Sequence, residues 1–258
     1  MWNSKRIFRA SGGNINKLNN INFQIVVPFF NDIENYKKFL DIVDSMNLEE
    51  EIFILLDNGS DNNDMEIYSN KYKNTKKGWR LVRVEKNLGF GGGIIHCSKL
   101  VDKNFIGWMP GNMKLNPKDV FNLFYNLENY ENNVLVKAKR VSRPLSDSLK
   151  TKIFGWIVSV FFRSYFYDVG GTPNLVDKKF FNISDSIPSD FKFDIFVYYY
   201  CKRKKYKIIR PKIAYKKRFY GKSHWQNGIL PEINLTLDTL KSKKSWDEAI
   251  KKDDTYSL

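Results

Sequence analysis

Four short stretches hold the residues whose types and spacing could do chemistry. In "LLDNGSDNND", Asp57 ends an apolar run and is followed by a turn of Asn58, Gly59, Ser60 and Asp61. A carboxylate there suits a ribose hydroxyl or a base N–H, and equally a cap for the turn and the next helix. "NLGFGGGIIHC" sets Asn87, Gly89, Gly91, Gly92 and Gly93 between an extended run and a helical pattern. Glycines in that place let backbone approach a phosphate or sugar at a helix N-terminus. A tight strand-to-helix turn explains one glycine of this set well, but four poorly. Ile94 breaks the G-x-G-x-x-G pattern, and the loop follows the third strand, so a dinucleotide site is a weak reading. "GWMPGNMKLNP" places Pro110, Gly111 and Asn112 just past another apolar run. "RFYGKSHW" closes a basic segment and suits a diphosphate or a phosphorylated acceptor, or a solvated charged edge.

These residues need elements to carry them. "FQIVVPFF", "EIFILLD", "RLVRVE", "FIGWM" and "NVLVKAK" are short apolar runs that alternate with helical patterns, including one from about Pro117 to Tyr130. That alternation predicts an α/β fold with a mostly parallel sheet covered on both faces. Ligands of such sheets bind beyond the carboxyl ends of the strands. The strand ends are Pro28 to Asp32, Asp57 to Asp61, Asn87 to Gly93 and Pro110 to Asn112. Residues 148–167 form an apolar helix candidate, 207–215 a further strand, and the last thirty residues a polar terminal helix.

The 258-residue chain carries a net charge of +15, which favours an anionic partner such as a nucleic acid, a phosphorylated small molecule or an acidic membrane surface. Plain solubility is the alternative. Two cysteines and two histidines are too few for a zinc module or a disulfide framework and fit a reducing, cytoplasmic setting. No signal peptide is evident, and no apolar run reaches the length of a membrane span. Residues 151–167, rich in Ile, Val, Phe, Trp and Tyr, read as a buried helix or as a peripheral contact with an anionic membrane.

In their order, "QIVVPFFND", "LLDNGSDNND", "NLGFGGG", "GWMPGNMKLNPKDV", "DVGGTPNLVDKKFF" and the segment from Phe191 to Ser223 resemble the family-2 glycosyltransferases. These are inverting enzymes with the GT-A (Rossmann-like) nucleotide-sugar-binding fold. The second half is most similar to the polyprenyl-phosphate sugar transferases and related cell-surface polysaccharide glycosyltransferases. The resemblance implies a polar extension over 1–21, one GT-A domain over 22–225, and a helical tail over 226–258. Within the domain, 22–140 is the nucleotide-sugar half and 141–225 the acceptor half.

It further implies that Pro28, Asn31, Asp32, Asp57 and Asn58 line the donor pocket. Asn87, Gly89 and Gly91 pass beside the nucleotide sugar. Asp194 is the expected base, and Arg218, Lys222 and Ser223 hold the acceptor or its phosphate. The expected partners are a nucleotide-sugar donor and a lipid-phosphate or saccharide acceptor, with no nucleic acid. The family's Asp-x-Asp falls on Pro110-Gly111-Asn112, which removes both carboxylates expected to hold Mg²⁺ or Mn²⁺. Asn112 remains a weak metal ligand among the donor-side residues Gly111 and Asn112. An alternative is a GT-A protein that binds nucleotide sugars as a scaffold without catalysis.

Overall fold

The computed structural model describes residues 21–72, 78–127, 132–142, 145–215 and 230–255. Its centre is a seven-stranded sheet of order β3-β2-β1-β4-β7-β5-β8. β1 (Phe23–Phe29) lies between β2 (Phe53–Asp57) and β4 (Phe105–Trp108), and β3 (Trp79–Arg83) pairs with β2, all in parallel. β7 (Asn174–Asp177) is antiparallel to both β4 and β5 (Val134–Lys137), and β8 (Lys207–Ile209) is parallel to β5. The sheet is therefore mostly parallel, as the alternation of runs predicts.

β7 is the element that apolar patterning does not announce. Its four residues, NLVD, are too few to show a period, and it enters the sheet between strands distant in sequence. The expected strand over 207–215 is two pieces. β8 ends before Arg210-Pro211, and β9 (Lys212–Ala214) pairs instead with β6 (Lys139–Val141) in a separate ribbon. Proline has no N–H to donate to the first ladder, which is a reason for the break.

The two faces of the sheet bury different sets, as the two-residue period of a strand requires. Ile25, Val27, Phe29, Leu55 and Leu175 face α1 (Ile33–Asp44) and α4 (Pro117–Tyr125). Tyr36, Phe39 and Leu40 of α1 and Val120 and Phe124 of α4 meet them. α4 starts cleanly: Pro117 occupies its first turn and the Asn116 side chain accepts from Lys118 N at 2.9 Å. Val26, Leu56, Ile106, Trp108, Leu135 and Val176 face the other way. They meet α3 (Gly89–Ser98), α5 (Leu145–Phe161) and α6 (Phe193–Arg203).

The C-terminal segment contributes to that second core instead of trailing from it. α7 (Leu230–Lys241) leads to α8 (Lys243–Thr255), whose Trp246 is 4% exposed and packs on Phe162, Phe196 and Tyr199. The Tyr200 hydroxyl donates to Asp253 at 2.8 Å. Trp246→Ala is expected to destabilise the protein by about 3–5 kcal/mol, the usual range for an aromatic lost from a core. Urea unfolding monitored by far-UV circular dichroism measures the loss.

Candidate active site

The carboxyl ends of β1, β2, β3 and β4 all open on one edge of the sheet, because these strands are parallel. β7 runs the other way, so its first residue, Asn174, stands in register with Trp108 at the end of β4. On its other side Asn174 is in register with Lys137 at the end of β5. Residues in register on neighbouring strands point to the same face. Trp108, Asn174 and Lys137 thus form one row at the site edge, facing α6.

Asp194 in the first turn of α6 meets that row. Its Oδ1 accepts from Trp108 Nε1 at 2.8 Å and from Asn174 Nδ2 at 3.1 Å. Asn174 Oδ1 in turn accepts from Lys137 Nζ at 3.3 Å, and Lys137 also donates to Gly171 O at 3.0 Å. Lys137 is only 1% exposed, and its ammonium lies 5.5 Å from the Tyr198 ring centre. Asp194 keeps some exposure, yet its carboxyl lies deep enough for burial to push its pKa up. The charges of Lys137 and Arg140 and the Trp108 hydrogen bond pull it back in part. Burial lowers Lys137 to about 8, against the pull of Asp194. Burial and the charge of Lys137 thus act on this carboxyl in opposite directions.

A buried ion pair lies close to this row. Asp168 is 6% exposed and accepts from Arg140 N and Nε, both at 3.1 Å, and from Arg140 Nη2. Nearby, Arg210 Nη2 donates to Tyr167 O at 2.8 Å, and Arg210 stacks 5.5 Å from the Tyr198 ring. Its Nη1 is buried with no hydrogen-bond partner among the described residues. Asp168, Arg140, Lys137, Trp108, Asn174 and Arg210 were not singled out by motif reasoning. Trp108 and Asn174 sit inside the quoted motifs, but only the antiparallel β7 register brings them onto Asp194.

The residues expected to line the donor pocket are tied to one another. Asn31, at φ +48°, accepts from Asp61 N at 2.9 Å and donates to Asp61 Oδ2 at 2.9 Å. Its own N–H donates to Ser60 Oγ at 3.0 Å. Both Asp32 oxygens accept from Asn35 Nδ2 at 2.9 Å. Pro28 lies one residue before the end of β1 and is half-buried. Asp57 is fully buried; Oδ1 accepts from Ser60 N at 3.0 Å and Oδ2 from Arg83 Nη1 at 2.9 Å. The carboxylate thus both caps the turn and pairs with a cation across the β2–β3 ladder. Arg83 also donates to Ser60 O at 2.9 Å, so it fixes the loop after Asp57 as well.

Asn58 links that loop to the glycine segment. Its Nδ2 donates to Gly89 O at 3.0 Å and to Asn87 Oδ1 at 3.2 Å, and its Oδ1 accepts from Leu88 N. Asn87 Oδ1 also accepts from Gly89 N at 2.8 Å. Close packing calls for the glycines themselves. Gly89 has φ +78° and a Cβ there would overlap Ser189 O, while one on Gly91 would overlap Pro188 O. Gly92 N already donates to Ser189 O at 2.8 Å. The first turn of α3 is therefore closed against residues 188–193, and a tight packed turn accounts for more of these glycines than the sequence suggests.

The turn after β4 holds Pro110, Gly111 and Asn112. A Cβ on Gly111 would overlap the Phe29 ring. Asn112 Oδ1 accepts from Lys114 N at 3.2 Å, so its carbonyl closes the turn. With no carboxylate at 110–112 and the Asn112 oxygen engaged, the turn does not fit a divalent cation by itself. Among the described residues there is no cluster of three His, Cys, Asp or Glu side chains suited to a metal. Arg218, Lys222 and Ser223 lie outside the described residues.

Two comparisons bear on this edge of the sheet. The profile of glycosyl transferase family 2 matches residues 24–190, well over half of the chain and all of the strand ends just described. The chain belongs to glycosyl transferase family 2. Among proteins of curated function, none matches its sequence significantly.

Solved structures give the same fold at low identity. Glucosyl-3-phosphoglycerate synthase from Mycobacterium tuberculosis, in complex with Mn²⁺, UDP and glucosyl-3-phosphoglycerate, superposes with a TM-score of 0.64 at 13% identity. The match covers 95% of this chain and 86% of that one. The same synthase with Mn²⁺, UDP-glucose and phosphoglyceric acid gives 0.64 at 13%, again over 95% and 86%. A mycobacterial protein gives 0.64 at 14%, over 87% of this chain and 76% of that one. The fold is GT-A, and family and fold together support nucleotide-sugar-dependent glycosyl transfer.

Proposed function

We propose that this family-2 enzyme moves a sugar, with inversion at the anomeric carbon, from a nucleoside-diphosphate sugar to a lipid-phosphate or glycan acceptor. Synthesis of cell-surface polysaccharide or glycolipid is the setting, at the cytoplasmic face of a membrane. The observation that carries the reading is the Asp194 carboxylate held by Trp108 and Asn174 at the carboxyl edge of the sheet. One of its oxygens is fixed by two donors, which orients the other. Donor binding falls to the loops clasped by Asn31, Asp57 and Asn58, with the glycine segment alongside.

In the transfer, an acceptor oxygen attacks the anomeric carbon as the bond to the diphosphate breaks. For a hydroxyl acceptor, the proton passes to Asp194, which must be ionised beforehand. For a phosphate acceptor no base is needed, and cations that hold the phosphate matter more. The buried, unpartnered Nη1 of Arg210 supports a phosphate-bearing acceptor, since an orphaned guanidinium donor gains by meeting an anionic oxygen. No step is routed through a metal, because the 110–112 turn does not fit one. The glucosyl-3-phosphoglycerate synthase complexes hold Mn²⁺, a UDP species and a phosphorylated small acceptor. A soluble phosphorylated acceptor therefore belongs in any screen.

Turnover of UDP-, GDP- and dTDP-sugars against polyprenyl-phosphate, glycan and phosphoglycerate acceptors tests the proposal, run beside the Pro110→Asp/Asn112→Asp variant. Nucleoside-diphosphate release by the unaltered protein, persisting with EDTA, is expected. Turnover that appears only in the double variant would instead mark a scaffold that lost catalysis with its carboxylates.

A further inference from the structure

α5 carries its apolar surface on the wrong side for a soluble helix. Leu149, Ile153, Trp156 and Val160 follow one another at spacings of four, three and four residues, which sets them along one narrow stripe. All four are open, at 60%, 52%, 69% and 61% exposure. The inward side is already satisfied: Val158 is buried, and Gly155 packs against Phe166 O. A helix at a soluble surface ordinarily turns polar residues outward, so a row of four large exposed apolar side chains calls for something to cover it.

The charges around the stripe say what kind of cover. Lys152 flanks it on the same helix and is exposed. At its C-terminal end lies a cavity of about 540 Å³ whose charged lining is all cationic: Arg163, Lys202, Arg203 and Lys243. Lys243 is held by Asp247 at 2.5 Å. Arg163 and Lys202 have no ion pair among the described residues. Burial and the nearby Arg210 lower the pKa of Lys202, so an anion at this place would relieve an unfavourable environment. Tyr165, 71% exposed, stands beside the cavity with the amphipathic character suited to a membrane–water interface.

We infer that this face docks on an anionic phospholipid membrane. The α5 stripe enters the headgroup–acyl boundary and the cationic cavity receives lipid phosphates. An anionic surface is the cover that the four cations of the cavity lining match. An apolar stripe rimmed by cations suits an interfacial helix that lies on the membrane. Among the described residues no helix is long and apolar enough to cross it. The docking deepens the proposed lipid-linked acceptor, because only residues 162–167 separate α5 from Asp168, which braces Arg140 at the site.

Co-sedimentation of the purified full chain with vesicles tests this without requiring turnover. Binding is expected to vesicles of phosphatidylglycerol with phosphatidylcholine, weakened by salt, and to be poor with phosphatidylcholine alone. Ile153→Ser/Trp156→Ser changes only exposed side chains and is expected to reduce binding by at least about tenfold, with an unchanged melting temperature. Lys152→Glu/Arg163→Glu is expected to remove the preference for the anionic lipid. Calorimetric binding of a nucleotide sugar serves as the control that both variants keep their fold. No binding to anionic vesicles would overturn the inference. A concentration-dependent dimer abolished by Ile153→Ser/Trp156→Ser, with no vesicle binding, would assign the stripe to self-association instead. If vesicles bind but no donor is turned over, the docking stands and the transferase reading fails.

Discussion

Asp194→Asn is expected to lower turnover with a hydroxyl acceptor by about 10²–10⁴-fold, the usual contribution of a positioned general base, and to leave donor binding unchanged. Asparagine keeps the shape of the side chain and a carbonyl oxygen that still accepts from Trp108 Nε1 and Asn174 Nδ2. What it loses is the ability to take a proton. Stability should not suffer. Burial raises the folded pKa of Asp194, so its contribution to stability is complete only below the ordinary carboxylate value and is lost as pH rises through the raised one. At neutral pH the ionised group is a cost to the fold, and the amide removes it.

The same shift sets the acid limb of the pH–rate profile above the range of an ordinary carboxylate. Lys137 is the first of the influences that pull the Asp194 pKa down, so Lys137→Met is expected to move that limb to higher pH. Steady-state rates across pH for the three proteins measure both effects. An Asp194→Asn enzyme that turned over a hydroxyl acceptor at the normal rate would exclude Asp194 as the base.

Asp168→Asn is expected to cost about 3–5 kcal/mol of stability, because it removes one partner of a buried ion pair. The carboxylate is 6% exposed and receives Arg140 through backbone and guanidinium together. The amide would leave Arg140, itself deeply buried, without its counter-charge. Burial alone would raise the Asp168 pKa, but the Arg140 hydrogen bonds and charge outweigh it, and the net direction is down. A depressed folded pKa contributes stability that is complete above the ordinary carboxylate value, about 3.9, and is lost as pH falls through the folded value. The unaltered protein should therefore weaken on acidification below about pH 4, and Asp168→Asn should lack that part of the acid sensitivity. Chemical denaturation at neutral pH and at pH near 3.5 separates the two effects. Equal stability of both proteins at neutral pH would show that the pair is not structural.

The sheet was legible because β1, β2, β4 and β5 are nearly continuous apolar runs, as burial on both faces demands, while the edge strand β3 alternates apolar residues with arginines. The site was legible only where one motif holds the residues together. Asp57, Asn58 and the glycine segment sit on adjoining strand ends, and the structure joins them through Asn58. Asp194 could be named by resemblance, but its holders could not. Trp108 and Asn174 reach it from positions 86 and 20 residues away. Their meeting depends on the reversed direction of a four-residue strand that has no period of its own. Lys137 drew no notice in the sequence, yet it is buried and bonded to Gly171 and Asn174. The C-terminal segment read as a polar tail because the apolar face of α8 is narrow: Trp246, Ala249 and Ile250 within a strongly charged helix.

The most direct measurement is calorimetric titration of the purified protein with UDP-, GDP- and dTDP-sugars, each with Mn²⁺ and with EDTA. The account predicts saturable binding of one donor that survives EDTA, since the 110–112 turn supplies no carboxylate and its asparagine oxygen closes the turn. Absence of binding for every donor, with and without Mn²⁺, would contradict the claim that this sheet edge is a nucleotide-sugar site.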